Sequence, residues 1–305
     1  MAISAKQVKE LRESTGAGML DCKKALEIAN GDLDKAVDVL REKGLGKAAK
    51  KMDRLANEGT ISLSVSDDYK TSTLLQVNTE TDFVAKNEGF QTLVKDISNL
   101  IQKENPKDLE ALKLLTLHGI NFQEYLNSQI AKIGENIVVR RFVNIICEDK
   151  ETTNGYLHVN GRVGVILKVD SSCNASENGV DELLKNISMH AAAMSPRFLK
   201  AEDIPQEELD KEEHFHKEEL RKLNKPEKIW GKILEGKAIK YKDENTLFGQ
   251  YYVMDNRSKI LDFINAFAKK ANIDLKITDY IRFELGEGLD KKSEDFADEV
   301  AKVLN

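Results

Sequence analysis

An α+β fold is predicted, on three observations. Apolar residues recur at helical spacing between glycine turns over the first 45 residues. Two stretches of apolar–polar alternation, around 61–77 and 156–169, read as β-hairpins, and each is followed by helical patterns and a returning strand. A highly charged helical pair interrupts the second unit. The expected architecture is a small N-terminal three-helix domain and a core of two similar antiparallel-sheet and helix subdomains. An inserted antiparallel helical arm and a C-terminal helix complete it.

In chain order, Ser4 is placed to cap a helix carrying Val8 and Leu11 that stops at Thr15-Gly16. A second helix presents Met19, Cys22, Ala25, Leu26 and Ala29, and Asn30-Gly31 ends it. Asp32 can cap a third, whose Leu33, Ala36, Val37 and Leu40 form an i, i+3, i+4, i+7 stripe, with Gly44 where a C-terminal cap glycine is expected. Such a bundle is too small to hide all its apolar surface, and the remainder suits partner binding. Residues 46–57 read as a basic helical linker. A hairpin through Ile61–Val65 and Thr73–Val77 opens the first core subdomain, 58–148. Helices are expected over 87–104, 107–117 and 121–133, and a strand over 136–147, rich in β-branched residues.

The second subdomain, 149–286, repeats the plan. Tyr156–Val159 and Val163–Val169 flank Asn160-Gly161, a strong hairpin signal, and the alternation points Leu157 and Val159 inward and His158 outward. A helix over 179–194 follows, with a returning strand at Tyr280–Leu285. Between them, at about 202–240, a charged helix breaks at Asn224-Lys225-Pro226, and a second helix carries Ile229, Trp230, Ile233 and Leu234 up to Gly236. Between Arg197 and Glu244, 12 basic residues nearly cancel 13 acidic ones, so the arm is no simple electrostatic hook. The last module, 287–305, holds an amphipathic helix through Phe296, Val300 and Val303.

Composition narrows the function. A net charge of −6 argues against a protein that works by neutralising phosphates, so no direct nucleic-acid contact is expected. The three cysteines lie far apart and suggest neither a disulfide framework nor a zinc site. The first residues enter a helical pattern at once, and no apolar run approaches a membrane span of about 20 residues. A cytoplasmic protein without membrane attachment is the expectation. No glycine run ends in Gly-Lys-Ser or Gly-Lys-Thr, and Gly286-Glu287-Gly288 reads as a turn. His214 and His216 sit on different faces of a solvated helix, His118 suits a helix end, and His190 reads as structural. Serines and cysteines form no nucleophile pattern. No catalytic residue, metal or cofactor is expected, and the chain reads as one that works by contacting another protein.

One stretch stands out. In Thr81-Asp82-Phe83-Val84 a carboxylate and a large aromatic meet where a strand gives way to a helix. Spacing alone favours a helix cap with Phe83 packed inside, while presentation of Asp82 and Phe83 to a partner is the alternative.

Several motifs weigh on that choice: VKELRESTGAGMLDCKKALEIANGDLDKAVDVLREKG at 8–44, TETDFVAKN at 79–87, KIGENIVVRR at 132–141, GRVGVILKV at 161–169, AAMSPRFL at 192–199, KILEGK at 232–237 and RFELGEG at 282–288. Together, and in this order, they resemble the bacterial elongation factor Ts family, nucleotide exchange factors for elongation factor Tu. Thr79 and the residues around it vary from other members of the family, and the 104–120 segment carries no clear family motif.

The resemblance implies a ubiquitin-associated-like (UBA-like) domain over 1–45, two related core subdomains and a coiled-coil insertion. It makes Asp82 and Phe83 the motif that wedges between helices of the partner GTPase near its magnesium and phosphate site. Ile133 and His158 match positions touching the same partner domain. Met19, Leu20 and Lys23 match the N-terminal contact surface, and Val253 and Met254 match a segment touching another partner domain. The partner implied is elongation factor Tu, GDP-bound and nucleotide-free, and a homodimer within a larger complex stays open. The rival class is an adaptor that only tethers a partner through residues 1–45.

Overall fold

The computed structural model describes residues 3–173 and 176–288. The helix expected over 290–304 therefore lies outside the described residues.

Three helices open the chain: α1 (Ala5–Thr15), α2 (Met19–Ile28) and α3 (Leu33–Ala49). Ser4 and Gln7 form a reciprocal capping box at the start of α1, Gly16 closes it at φ +66°, and Asp32 caps α3 through the Lys35 amide. Leu11, Cys22, Ala25, Leu26 and Ala36 make the small shared core. Gly44 does not end α3. It is buried, and a Cβ there would stand 3.8 Å from the Ala131 side chain. The missing side chain lets α3 lie along a core helix, and that packing overrides the propensity to stop. Of the expected helical linker over 46–57, only the part up to Ala49 is helical.

The first subdomain follows as β1 (Glu58–Val65), β2 (Thr71–Thr79), α4 (Asp82–Ala85), α5 (Glu88–Glu104) and α6 (Leu109–Lys113). Then come β3 (Thr116–Leu117), β4 (Ile120–Asn121), α7 (Phe122–Ile133) and β5 (Ile137–Ile146). The helix expected over 107–117 is thus short. His118 and Gly119 both take positive φ, 52° and 81°, and turn the chain into the two-residue-strand hairpin β3–β4. The Asn121 side chain donates to the Lys113 carbonyl at 3.1 Å, satisfying the end of α6. His118 bonds the Asp96 carboxylate at 2.9 Å rather than helix carbonyls.

The second subdomain contains β6 (Glu151–Leu157), β7 (Val163–Ser171), α8 (Val180–Met194), α9 (Gln206–Lys222), α10 (Trp230–Asn245), α11 (Ile260–Ala271) and β8 (Leu275–Glu284). The helix α10 passes through Gly236, where open space surrounds the backbone, and runs on to Asn245. Tyr241, beyond that glycine, bonds Glu208 of α9, and Glu208 also pairs with Arg197. This polar knot ties the two arm helices together at their base. The arm helices bury little: Leu220 is the only buried residue of α9, and α10 has none.

The sheets repeat one another. Each is antiparallel with order β1-β2-β5 or β6-β7-β8, and each shows a register shift between its central and returning strands, at Gln76/Val77 and at Lys168/Val169. Helices α5 and α7 cover the first sheet, burying Phe90, Ile97, Ile101 and Phe122. Helices α8 and α11 cover the second, burying Leu184, Ile187, Ile260 and Ile264. The other sheet faces meet through Ile61, Leu74, Ile145, Ile166 and Phe283. A Cβ at Gly164 would come within 2.8 Å of Leu74 and Ile61, so glycine there permits the close approach.

Candidate partner-binding surface

Strand β2 stops at Thr79, and Thr81 takes an extended conformation whose hydroxyl accepts from the Val84 amide at 3.3 Å. This caps α4, which therefore begins with Asp82 and Phe83. Ala85 is buried and Val84 packs against the first core, holding the turn from below. Phe83 points the other way and is 82% exposed. The inward Phe83 favoured by spacing alone is thus corrected: the cap forms, but the ring stands in solvent. Asp82 pairs with Lys86 at 2.8 Å, one helical turn on, and that hydrogen bond holds its carboxyl below the usual carboxylate range.

The mount is closed from across the fold. The Glu135 carboxylate, between α7 and β5, accepts from Thr79 Oγ1 at 2.8 Å, the Thr81 amide at 3.0 Å and Thr81 Oγ1 at 2.6 Å. In return, Glu80 accepts from the Asn136 amide at 2.6 Å, and the Asn136 side chain donates to the Arg54 carbonyl at 2.8 Å. Ile133, at the end of α7, lies two residues before Glu135 and packs partly against the first core.

His158 is exposed, and its Nδ1 faces the Tyr156 hydroxyl at 3.1 Å. Strand β6 ends at Leu157, because His158 bonds Val163 and Gly161 bonds back to His158 within the loop. The alternation stops there, so Val159 is 95% exposed rather than inward.

Two grooves meet at this hairpin tip. One, of about 1090 Å³, runs along β1 between Asp82, Lys86 and Lys95 on one side and His158 and Arg162 on the other. The second, of about 410 Å³, is lined by Tyr156, His158, Met189, His190, Val253 and Met254. The structure thereby brings Asp82, His158, Val253 and Met254 to adjoining grooves. Met19, Leu20 and Lys23 line a separate groove of about 810 Å³ against α1, with Met19 and Leu20 well exposed.

Buried His190 supports the Val253-Met254 loop. Its Nδ1 accepts from the Val253 amide at 3.2 Å, so the proton sits on Nε2, which donates to Gln250 Oε1 at 3.0 Å. Burial pushes the His190 pKa down and keeps the ring neutral. Among the described residues no group of three or more His, Cys, Asp or Glu side chains is placed to hold a metal ion, and no helix is long and apolar enough to cross a membrane.

Sequence reasoning did not single out Glu135 or Tyr156. Glu135 stands in a quoted motif, but its three bonds reach back 54 to 56 positions, and nothing local marks them.

Comparison with known proteins decides the family. Residues 80–287 match the family model described as elongation factor TS. The chain is 51% identical to elongation factor Ts of a Nitratiruptor species, covering all of both chains. The chain belongs to the elongation factor Ts family. Elongation factor Ts of Campylobacter concisus is 46% identical over all of both chains, and that of Helicobacter pylori is 45% identical over 98% of each. The segment matched by the elongation factor Ts family model holds Asp82, Phe83, Ile133, Glu135, His158, Val253 and Met254, and Met19, Leu20 and Lys23 precede it.

Proposed function

We propose that this chain is a guanine-nucleotide exchange factor in translation elongation. It binds elongation factor Tu carrying GDP, disturbs its magnesium and phosphate site and promotes GDP release so that GTP can bind. Membership of the elongation factor Ts family supports the reading, and the single observation that carries it is Phe83, an aromatic ring held in solvent on a capped and clamped turn. An exposed ring of this size is costly to leave in water and is rewarded when a pocket takes it, by about 1.5–3 kcal/mol.

A GTPase holds its nucleotide through backbone amides, a lysine and a magnesium ion. Phe83 entering between helices of the partner displaces those groups, and the ionised Asp82 competes near the magnesium site. Ile133 and His158 extend the contact with the same partner domain. Val253 and Met254 hold another domain, and Met19, Leu20 and Lys23 of a UBA-like N-terminal module add affinity. Charge balance leaves the coiled-coil arm outside the electrostatics of this contact. No covalent step falls to this chain. Linkage makes the effect reciprocal: nucleotide weakens the factor's grip by the same ratio as the factor weakens nucleotide, so incoming GTP expels it.

The test is release of labelled GDP from elongation factor Tu. Near-stoichiometric amounts of the protein are expected to speed release strongly, and an unchanged rate would sink the reading.

A further inference from the structure

Glu135 makes no contact that family resemblance assigns to it, yet it holds the turn that carries Phe83. Its carboxylate accepts three hydrogen bonds from Thr79 and Thr81, at 2.6 to 3.0 Å. Thr81 Oγ1 both donates to Glu135 and accepts from the Val84 amide, so the first turn of α4 is fixed through one hydroxyl. The Glu80–Asn136 bond ties the same two segments in the opposite sense. Because the Phe83 ring is solvent-exposed, its direction is set by the backbone of residues 81–84 rather than by packing. Hydrogen bonds to an ionised acceptor are the strong kind, and a held side chain loses less freedom on docking.

We propose that Glu135 is a positioning residue for exchange: it locks the β2–α4 turn so that Phe83 enters the partner already oriented, and it joins Phe83 to Ile133 as one rigid contact unit. The inference rests on the exchange reading above. A carboxylate accepts at both oxygens, as the three donors here require in their present orientation. In Glu135→Gln the amide keeps one oxygen acceptor, and at its NH2 end a threonine that now donates must turn its hydroxyl to accept, or the Thr81 N–H loses its acceptor.

The test compares labelled-GDP release from elongation factor Tu at saturating amounts of the full chain. The variants are Glu135→Gln, Phe83→Ala, the double variant, Thr81→Val and Thr81→Ser, each checked for folding by circular dichroism. Glu135→Gln is expected to slow release roughly tenfold, since a misplaced group loses most of its effect. The double variant should be slower than Phe83→Ala by much less than tenfold, because the mount acts chiefly through the ring. Thr81→Val, which removes the hydroxyl's bond to Glu135 together with its cap on the Val84 amide, should also slow release, and it tests the mount even if the glutamine variant folds poorly. Thr81→Ser, which keeps the hydroxyl, should restore release. Wild-type rates in Glu135→Gln or Thr81→Val, or multiplied losses in the double variant, would overturn the positioning role while leaving the exchange reading intact. A wild-type chain that does not speed release overturns both.

Discussion

Two exposed apolar features of this molecule, Phe83 and the Val253-Met254 pair, are mounted in contrasting ways. Phe83 rides on a four-residue helix whose cap is gripped by a carboxylate, near the surface and tied to a second element. Val253 and Met254 hang on a buried neutral imidazole that bonds the loop at Gln250 and at the Val253 amide. The first mount is charge-assisted and fixes direction. The second is neutral and desolvated, and depends on a proton staying off one nitrogen. The contrast suits their proposed tasks: Phe83 must force its way into the partner, while Val253 and Met254 need only hold on.

Removing the ring should have the largest effect. Phe83→Ala is expected to weaken binding to nucleotide-free elongation factor Tu by roughly 10- to 150-fold in calorimetry, with an unchanged melting temperature, because an exposed ring adds nothing to folding. Next, His190→Phe strands the Val253 amide and Gln250, and should lower unfolding free energy in urea by about 1–3 kcal/mol. An unchanged urea midpoint would mean the loop is held by other contacts. A smaller change is expected for Met254→Ala, about two- to fivefold in the concentration giving half-maximal exchange, since a flexible thioether side chain gains less on burial than a ring.

The smallest effect separates the mounts by pH. Burial holds the His190 pKa below its ordinary 6.5, so the unfolded chain binds that proton more readily than the folded one. The neutral imidazole's contribution is complete above about pH 6.5 and is lost as pH falls from there to the lowered folded value. Wild-type stability should decline over that window, and His190→Gln should show a flatter profile in the same urea series. Asp82 is held below the carboxylate range by its hydrogen bond to Lys86, so the Asp82–Lys86 pair beside Phe83 should show no matching change near pH 6.5.

Much of this architecture was legible because helices and strands here keep their periods. The caps at Ser4, Asp32 and Thr81, the hairpins, and α8 all follow local chemistry. Local signals failed where tertiary packing decided. Gly44 resembles a helix stop until α7 lies against it, and Gly236 resembles one until Tyr241 anchors the following turn to Glu208. The α11 stripe of Ile260, Ile264 and Phe267 is present in the sequence, but it sits in a long insertion with no side-chain cap to mark its start. At the candidate site, the cap and the aromatic were visible as letters, whereas the direction of the ring was not. That direction depends on Glu135, reached only after the chain has built α5 to α7, and no local pattern encodes such a contact.

The most direct measurement is the maximal rate of labelled-GDP release from elongation factor Tu, at saturating wild-type chain, Phe83→Ala and Met254→Ala. Phe83→Ala should lower the maximal rate itself, while Met254→Ala should reach the wild-type maximum at higher concentration. Phe83→Ala reaching the wild-type maximum would contradict the account, because the ring would then serve only to hold the partner.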